Sequence, residues 1–161
     1  MFKKFIYLDN EIEKYFSHCE DPFKKAKEID GDVYRMTANR ITKRFELNKK
    51  NYFLKYHGPI GYVEIFKNIL KFQLPTVSAK AEWNALKKLQ SMGINCPPPI
   101  AICSKGINPA QSHSFIITES LEPNISIEDA FELKVFNKIT TQEKRKVIER
   151  VSNICRNLHS I

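Results

Sequence analysis

Tyr52-Phe53-Leu54-Lys55-Tyr56 is the stretch on which the fold turns. Its alternation sets Tyr52, Leu54 and Tyr56 on one face and Phe53, Lys55 and His57 on the other, and both faces are apolar or aromatic. That is the pattern of a strand covered on both sides. A lysine inside such a strand requires an anion, because an unpaired ammonium is costly to desolvate. The second helical pattern downstream supplies one. In Ala79-Lys80-Ala81-Glu82-Trp83-Asn84, Glu82 stands in line with Ala85, Leu86, Leu89 and Met92, on what reads as the buried face. Alone, a glutamate near a helix start reads more simply as a residue that reaches water and complements the helix dipole. Beside Lys55 it reads as one half of an ion pair whose ammonium is aimed at nucleotide phosphates.

The flanking sequence builds a sheet around this strand. Residues 33–36 and 41–47 read as strands joined by the turn Thr37-Ala38-Asn39-Arg40, with Ile41, Lys43, Phe45 and Leu47 on one face and Thr42, Arg44 and Glu46 on the other. Asn48-Lys49-Lys50-Asn51 is a turn into the strand 52–57. After the loop His57-Gly58-Pro59-Ile60-Gly61, residues 62–72 carry Val63, Phe66, Ile69 and Leu70 at helical spacing, and Pro75 ends the segment. The helix over 79–92 stops at Gly93. Pro97-Pro98-Pro99 stiffens the approach to a short strand, 100–103, and 104–113 is a turn region. Ser114-Phe115-Ile116-Ile117-Thr118 is the most convincing buried strand. It runs into the connector 119–124, whose backbone groups can face a planar base, although an ordinary strand exit is the simpler reading of that segment alone.

Ser126-Ile127-Glu128-Asp129 and Thr140-Thr141-Gln142-Glu143 are capping boxes that open helices. The second helix lays Val147, Ile148, Val151, Ile154, Cys155 and Leu158 on a continuous apolar stripe. Residues 9–29 are polar with Tyr15, Phe16 and Phe23 scattered among them, a helical or looped lead-in. Antiparallel strands with helices grouped to one side make an α+β fold.

Hydrophobic residues make up 42% and charged residues 27% of the 161, the balance of a folded soluble domain and not of a disordered chain. A net charge of +8 favours polyanionic partners, with simple surface solvation as the plain alternative. Cys19, Cys96, Cys103 and Cys155 form no CxxC pair and have no histidine at ligand spacing, so they read as reduced, mostly buried thiols with no metal site. The apolar run at the N-terminus is broken at Asp9-Asn10-Glu11, too early for a signal peptide, and no stretch reaches transmembrane length. The expected location is cytoplasmic, with any membrane contact peripheral.

Longer segments carry a resemblance. Tyr52-Phe53-Leu54-Lys55, Gly61-Tyr62-Val63-Glu64-Ile65-Phe66-Lys67-Asn68, Leu74-Pro75, Ala79-Lys80-Ala81-Glu82-Trp83-Asn84, Asn108-Pro109-Ala110, His113-Ser114-Phe115-Ile116-Ile117-Thr118-Glu119 and Ile125-Ser126-Ile127-Glu128-Asp129 resemble the lipopolysaccharide core heptose kinases of Gram-negative bacteria, a branch of the protein-kinase-like superfamily. The resemblance runs over residues 31–161. It implies a protein-kinase-like N-terminal lobe, an antiparallel sheet plus helices, with the first helices of the C-terminal lobe. The division is then a lead-in over 1–30, the lobe over 31–120, and a hinge with an incomplete C-terminal lobe over 121–161. It further implies an ATP- and Mg²⁺-dependent transfer of the γ-phosphate to a heptose hydroxyl, on an anionic, phosphorylated glycolipid at the inner membrane. Lys55 would bind the phosphates, Glu82 would be its helix partner, and the backbone of Glu119, Ser120 and Leu121 would contact adenine. No nucleic-acid partner is implied.

Two departures qualify the expectation. Val33-Tyr34-Arg35-Met36-Thr37-Ala38-Asn39-Arg40-Ile41 contains no glycine, so close approach of its backbone to a triphosphate is not provided for, and Arg35 and Arg40 become the candidate phosphate contacts. In the family the aspartate that accepts the hydroxyl proton follows almost directly on the pair that is here Leu158-His159, and a later aspartate holds Mg²⁺. No aspartate follows Asp129, so neither the catalytic base nor the metal ligand is in this chain. The expectation is a chain truncated before the catalytic loop and inactive alone. The stripe of the last helix agrees, since each large aliphatic side chain left uncovered forfeits roughly 1.5–3 kcal/mol. Two other classes stay in view. One is a non-catalytic nucleotide- or membrane-binding module, marked by ligand stabilisation without turnover. The other is a basic nucleic-acid-binding domain, disfavoured because the aromatics fall on core faces and no [KR]-G-[FY] signature is present.

Overall fold

The computed structural model describes residues 3–7, 9–70, 78–106, 108 and 110–159. The strands expected from alternation are all there, and another precedes them. The first unit, Met1–Ser120, holds β1 (Lys3–Tyr7), α1 (Asn10–Ser17), α2 (Pro22–Glu28), β2 (Asp32–Thr37), β3 (Arg40–Leu47), β4 (Lys50–His57), α3 (Tyr62–Leu70), α4 (Lys80–Ser91), β5 (Pro99–Lys105) and β6 (His113–Glu119). The strands form one antiparallel sheet in the order β1-β5-β6-β4-β3-β2. The α+β architecture is as expected. The helices, however, are not grouped on one side: α1 and α2 pack on one face of the sheet and α4 on the other.

The residues 9–29 thus supply more than a lead-in. Asp9 caps α1, its Oδ1 accepting from the Glu11 and Ile12 N–H groups at 2.9 and 3.0 Å. Asp21 caps α2 in the same way with Pro22 at the first helical turn. The two helices drive Ile12, Phe16, Phe23, Ala26 and Ile29 onto Phe45, Tyr52, Leu54, Tyr56, Ala101, Cys103, Phe115 and Ile117, the main core. Lys43 is on this apolar face without being stranded. Its Nζ donates to the carbonyls of Lys27 and Ile29 at 2.6 and 2.8 Å, closing the C-terminal end of α2. The opposite face has a smaller cluster, Ala79, Trp83, Ile102 and Ile116, with Ile6 and Leu86 packed against it.

Turn chemistry sets the hairpins. Between β3 and β4 the loop is only Asn48 and Lys49, with φ of 51° and 63°, and Lys50 and Asn51 already belong to β4. Both residues are left-handed, as in the hairpin turn whose twist matches the strands. β2 carries a bulge at Tyr34, and the turn after it is fastened to the end of β4 by the Gly58 N–H, which donates to the Asn39 carbonyl at 2.7 Å. At the entry to β2, Gly31 runs so close to β3 that a Cβ there would lie 2.2 Å from the Arg44 carbonyl oxygen. α4 ends as expected at Gly93, with φ of 68°, the Ile94 N–H turning back to the Leu89 carbonyl at 3.0 Å.

The helix α3 ends its described course at Leu70, and Phe72, Leu74 and Pro75 lie outside the described residues, as does Pro109. Tyr62, Val63, Phe66 and Leu70 are exposed. Of the cysteines, all unpaired, Cys103 is buried and its thiol is pushed up to about 12 by that burial. Cys155 is exposed, contrary to the expectation of mostly buried thiols.

The second unit, Leu121–Ile161, holds α5 (Ile127–Glu132), α6 (Val135–Lys138) and α7 (Thr141–His159). The Thr140 capping box forms in both directions, and at Ser126 the forward half forms. The Asp129 N–H donates to Ser126 Oγ at 2.9 Å, and the Thr140 N–H donates to Glu143 Oε2 at 2.7 Å while the Glu143 N–H returns to Thr140 Oγ1 at 3.3 Å. These bonds hold the Glu143 carboxyl below the usual range. Phe131 stacks on Phe136 at 4.5 Å, and Ile127, Phe131, Phe136, Val147, Ile148 and Val151 line an open apolar pocket of about 520 Å³. None of the described side chains of α7 is buried.

Candidate functional site

Register places the site before any side chain is considered. Arg35, Thr42, Lys55, Ile116, Ile102 and Ile6 form one cross-strand row, each paired with the next. The row is cationic at the β2 end and apolar at the β1 end, and α4 sits on the apolar end. Lys55 is where the two meet. The adjoining row on the same face is polar: Thr37, Arg40, His57, Ser114 and Ser104.

Lys55 Nζ donates to Glu82 Oε1 at 2.5 Å. The side chains retain 42% and 31% of their exposure, so the pair is half-buried and open on one side. In that setting an ion pair contributes only about 0–1 kcal/mol to stability. Its worth lies in fixing where the ammonium points. The face of α4 turned to the sheet differs from the expected stripe. Trp83 is buried, Leu86 packs beside it, and Ala85 is exposed, so Glu82 borders the buried face and does not lie within it.

His57 follows Lys55 on the same face, and its buried Nδ1 has no hydrogen-bond partner among the described residues. Burial lowers its pKa, Arg40 and Lys55 lower it further, and Glu82 opposes them. The imidazole is neutral at pH 7 and adds no charge beside the ammonium. Phe53, two residues before Lys55, carries Tyr34 edge-on at 5.2 Å. The start of α4 is tied to β6: the Ala79 N–H donates to Ser114 Oγ at 3.0 Å, and both residues are buried.

The expected phosphate contacts fall on the Lys55 face, Arg35 in its row and Arg40 in the next, and both are exposed. The expected adenine contacts are divided. The Glu119 N–H donates to the Pro98 carbonyl and the Ser120 N–H to the Asn51 carbonyl, each at 2.9 Å, so both donors are engaged within the first unit. Leu121 opens the second unit, and its carbonyl accepts from the Asn124 N–H at 3.0 Å. Among the described residues no cluster of His, Cys, Asp and Glu is able to hold a metal ion. Residues that sequence reasoning did not single out are Ala79, Trp83 and Ser114. The available signal was a side-chain-poor residue ahead of the glutamate helix and a hydroxyl opening an otherwise apolar strand.

Comparison with known proteins bears on the family and the fold. The lipopolysaccharide kinase (Kdo/WaaP) family matches residues 24–161. The lipopolysaccharide core heptose(I) kinase WaaP of Escherichia coli is 40% identical over 141 residues, which are 88% of this chain and 53% of that protein. WaaP of Pseudomonas aeruginosa is 34% identical over 145 residues, 86% of this chain and 52% of that protein. A solved structure of WaaP in complex with acyl carrier protein aligns with a TM-score of 0.73 at 26% identity, covering 97% of this chain and 56% of that chain. The chain therefore spans about half the length of the curated relatives it matches. It belongs to the lipopolysaccharide kinase (Kdo/WaaP) family.

Proposed function

We propose that these residues are the nucleotide-holding part of an ATP-dependent kinase that phosphorylates a heptose of the lipopolysaccharide inner core. The observation that carries the reading is the half-buried Lys55–Glu82 pair on the face where Arg35 and Arg40 also stand. Residues 1–30 are the cover of the lobe, 31–120 the lobe itself, and 121–161 the hinge and first helices of the next. Lys55 holds the ATP phosphates as a point charge, and Glu82 keeps its ammonium from swinging into solvent. Arg35 and Arg40 add charge-assisted donors that a glycine-free turn does not supply through its backbone. With the Glu119 and Ser120 donors engaged in the sheet, adenine contacts along this segment fall to backbone carbonyls and to the Leu121 N–H.

ATP supplies the phosphoryl group, and Mg²⁺ is expected to arrive with it. The described residues offer no ligand set for the metal, and no step is assigned to it. No aspartate follows Asp129, so a base for the heptose hydroxyl is not among these residues. The polypeptide of these 161 residues is therefore expected to bind nucleotide without turnover. Net charge of +8 suits an anionic, phosphorylated glycolipid acceptor. Among the described residues no helix is long and apolar enough to cross a membrane, and contact with the cytoplasmic side of the inner membrane is proposed as peripheral.

The test is calorimetric ATP titration of this polypeptide. Lys55→Ala and Glu82→Gln should each weaken binding at least tenfold, about 1.4 kcal/mol. Equal affinity in all three would remove the reading. A phosphotransfer rate from this polypeptide that vanishes in Lys55→Ala would overturn the claim that it does not turn over.

A further inference from the structure

We infer that Ser114 is a positioning residue: its hydroxyl seats the first turn of α4 on the sheet and thereby sets where Glu82 meets Lys55. The inference rests on the reading of Lys55 and Glu82 as a nucleotide-holding pair. The first turn of α4 has a partial local cap, Ser78 Oγ accepting from the Lys80 N–H at 3.1 Å, which leaves the Ala79 N–H to be satisfied elsewhere. Ala79, its N-cap residue, has helical φ and ψ of −64° and −12° and no side chain to accept the orphan N–H groups of the first turn. The Ala79 N–H is instead taken up by Ser114 Oγ, 35 residues later, at 3.0 Å. Ala79 is 0% and Ser114 2% exposed, so water is not available to replace that bond. The Ala79 carbonyl in turn accepts from the Trp83 N–H at 3.0 Å, so the anchored residue closes the helical turn that carries Glu82.

The register makes this anchor specific to the pair. Ser114 stands opposite His57 and Ile116 opposite Lys55, so anchor and lysine occupy neighbouring rows of one face. α4 is held over that small area in three ways: the Ser114 hydroxyl at its start, Trp83 against Ile102 and Ile116, and Glu82 against Lys55. The apolar contact alone permits the helix to roll or slide, since dispersion is non-directional. The hydrogen bond is directional and removes that freedom. Ala79 matters for the same reason, because a larger side chain at a site with no exposed surface would lift the turn away from the strand.

Trp83, the sole tryptophan, reports on the seat directly. Ser114→Ala should move its emission to longer wavelength while far-UV circular dichroism is unchanged, and Ser114→Thr, which keeps the hydroxyl, should restore it. An emission maximum unmoved by Ser114→Ala overturns the inference. In ATP titrations, Ser114→Ala should weaken binding severalfold in the native background and not at all in Glu82→Gln. Equal loss in both backgrounds means that the hydroxyl acts generally and not through Glu82, and also overturns it. If Lys55→Ala and Glu82→Gln themselves leave ATP affinity unchanged, the nucleotide reading falls, while the emission shift still decides whether Ser114 seats the helix.

Discussion

The two faces of the sheet are built from the same strands and follow opposite rules. Under α1 and α2 the strands present Phe45, Tyr52, Leu54, Tyr56, Phe115 and Ile117, all nearly inaccessible, against Phe16 and Phe23. The rings interlock, with Phe16 and Phe115 at 5.2 Å and Phe23 and Phe115 at 5.7 Å. Under α4 the alternate residues of those strands give a small apolar cluster bordered by Lys55, Glu82, His57 and Ser114. One face is filled to exclude water, and the other stays partly open and charged. The difference teaches that stability and ligand chemistry are separated across the thickness of one sheet, with the period of two along each strand as the divider.

That separation is open to attack at several points. The largest effect is expected from Phe16→Ala, which removes a buried ring from the filled face and should cost about 3–5 kcal/mol in urea unfolding. The folded fraction should keep native ATP affinity; a loss of affinity there would mean that the faces are coupled. Gly31→Ala drives a Cβ onto the Arg44 carbonyl oxygen at 2.2 Å and should cost more than about 1 kcal/mol. Lys55→Ala should change stability by no more than about 1 kcal/mol, because the pair is half exposed, and a larger loss would make Lys55 a structural residue. Smallest is Lys49→Gly at a left-handed turn position, an expected gain of about 0.5 kcal/mol in thermal unfolding.

Acid sharpens the comparison, since each face holds one histidine. His57 lies among Arg40, Lys55 and Glu82 on the open face. His113 lies on the filled face, where it pairs with the Tyr56 hydroxyl at 2.6 Å and is near Lys27, Lys105 and Asp21. Both are lowered from 6.5, chiefly by burial. Below 6.5 the unfolded chain therefore binds more protons than the folded one. Their contribution is complete above that pH and is lost progressively as pH falls from 6.5 through the lowered folded-state values. Melting temperature should drop on acidification, less steeply in His57→Gln and in His113→Gln, and least in the double variant.

What was legible in the sequence follows from how far apart the partners are. Lys55 and Glu82 were readable because each violates its own local pattern, a cation in an apolar strand and an anion beside an apolar stripe. The capping boxes at Ser126 and Thr140 were readable because their partners are three residues away. β1 was not, since Lys3 and Lys4 interrupt its apolar run and its pairing partner is β5. The assignment of α1 and α2 to the opposite face was not legible either, because Phe16 and Phe23 show no periodicity that names the surface they cover. The bond from Ala79 to Ser114 is decided by the packing of a helix on a strand, and no spacing within either segment encodes it.

β1 has a consequence for the order in which the molecule is made. Lys3 pairs with Lys105 and Tyr7 with Ala101, so β1 completes its ladder only after nearly the whole first unit has followed it. At a synthesis rate of about 5–20 residues per second, that wait is on the order of 5–20 seconds. During it the segment has α1 and α2 as company but no strand beside it. Its partner β5 is still not the last strand made: β6 follows, and only β6 joins β5, with β1 beside it, to the β4-β3-β2 half, so the sheet closes at its centre and not at this edge.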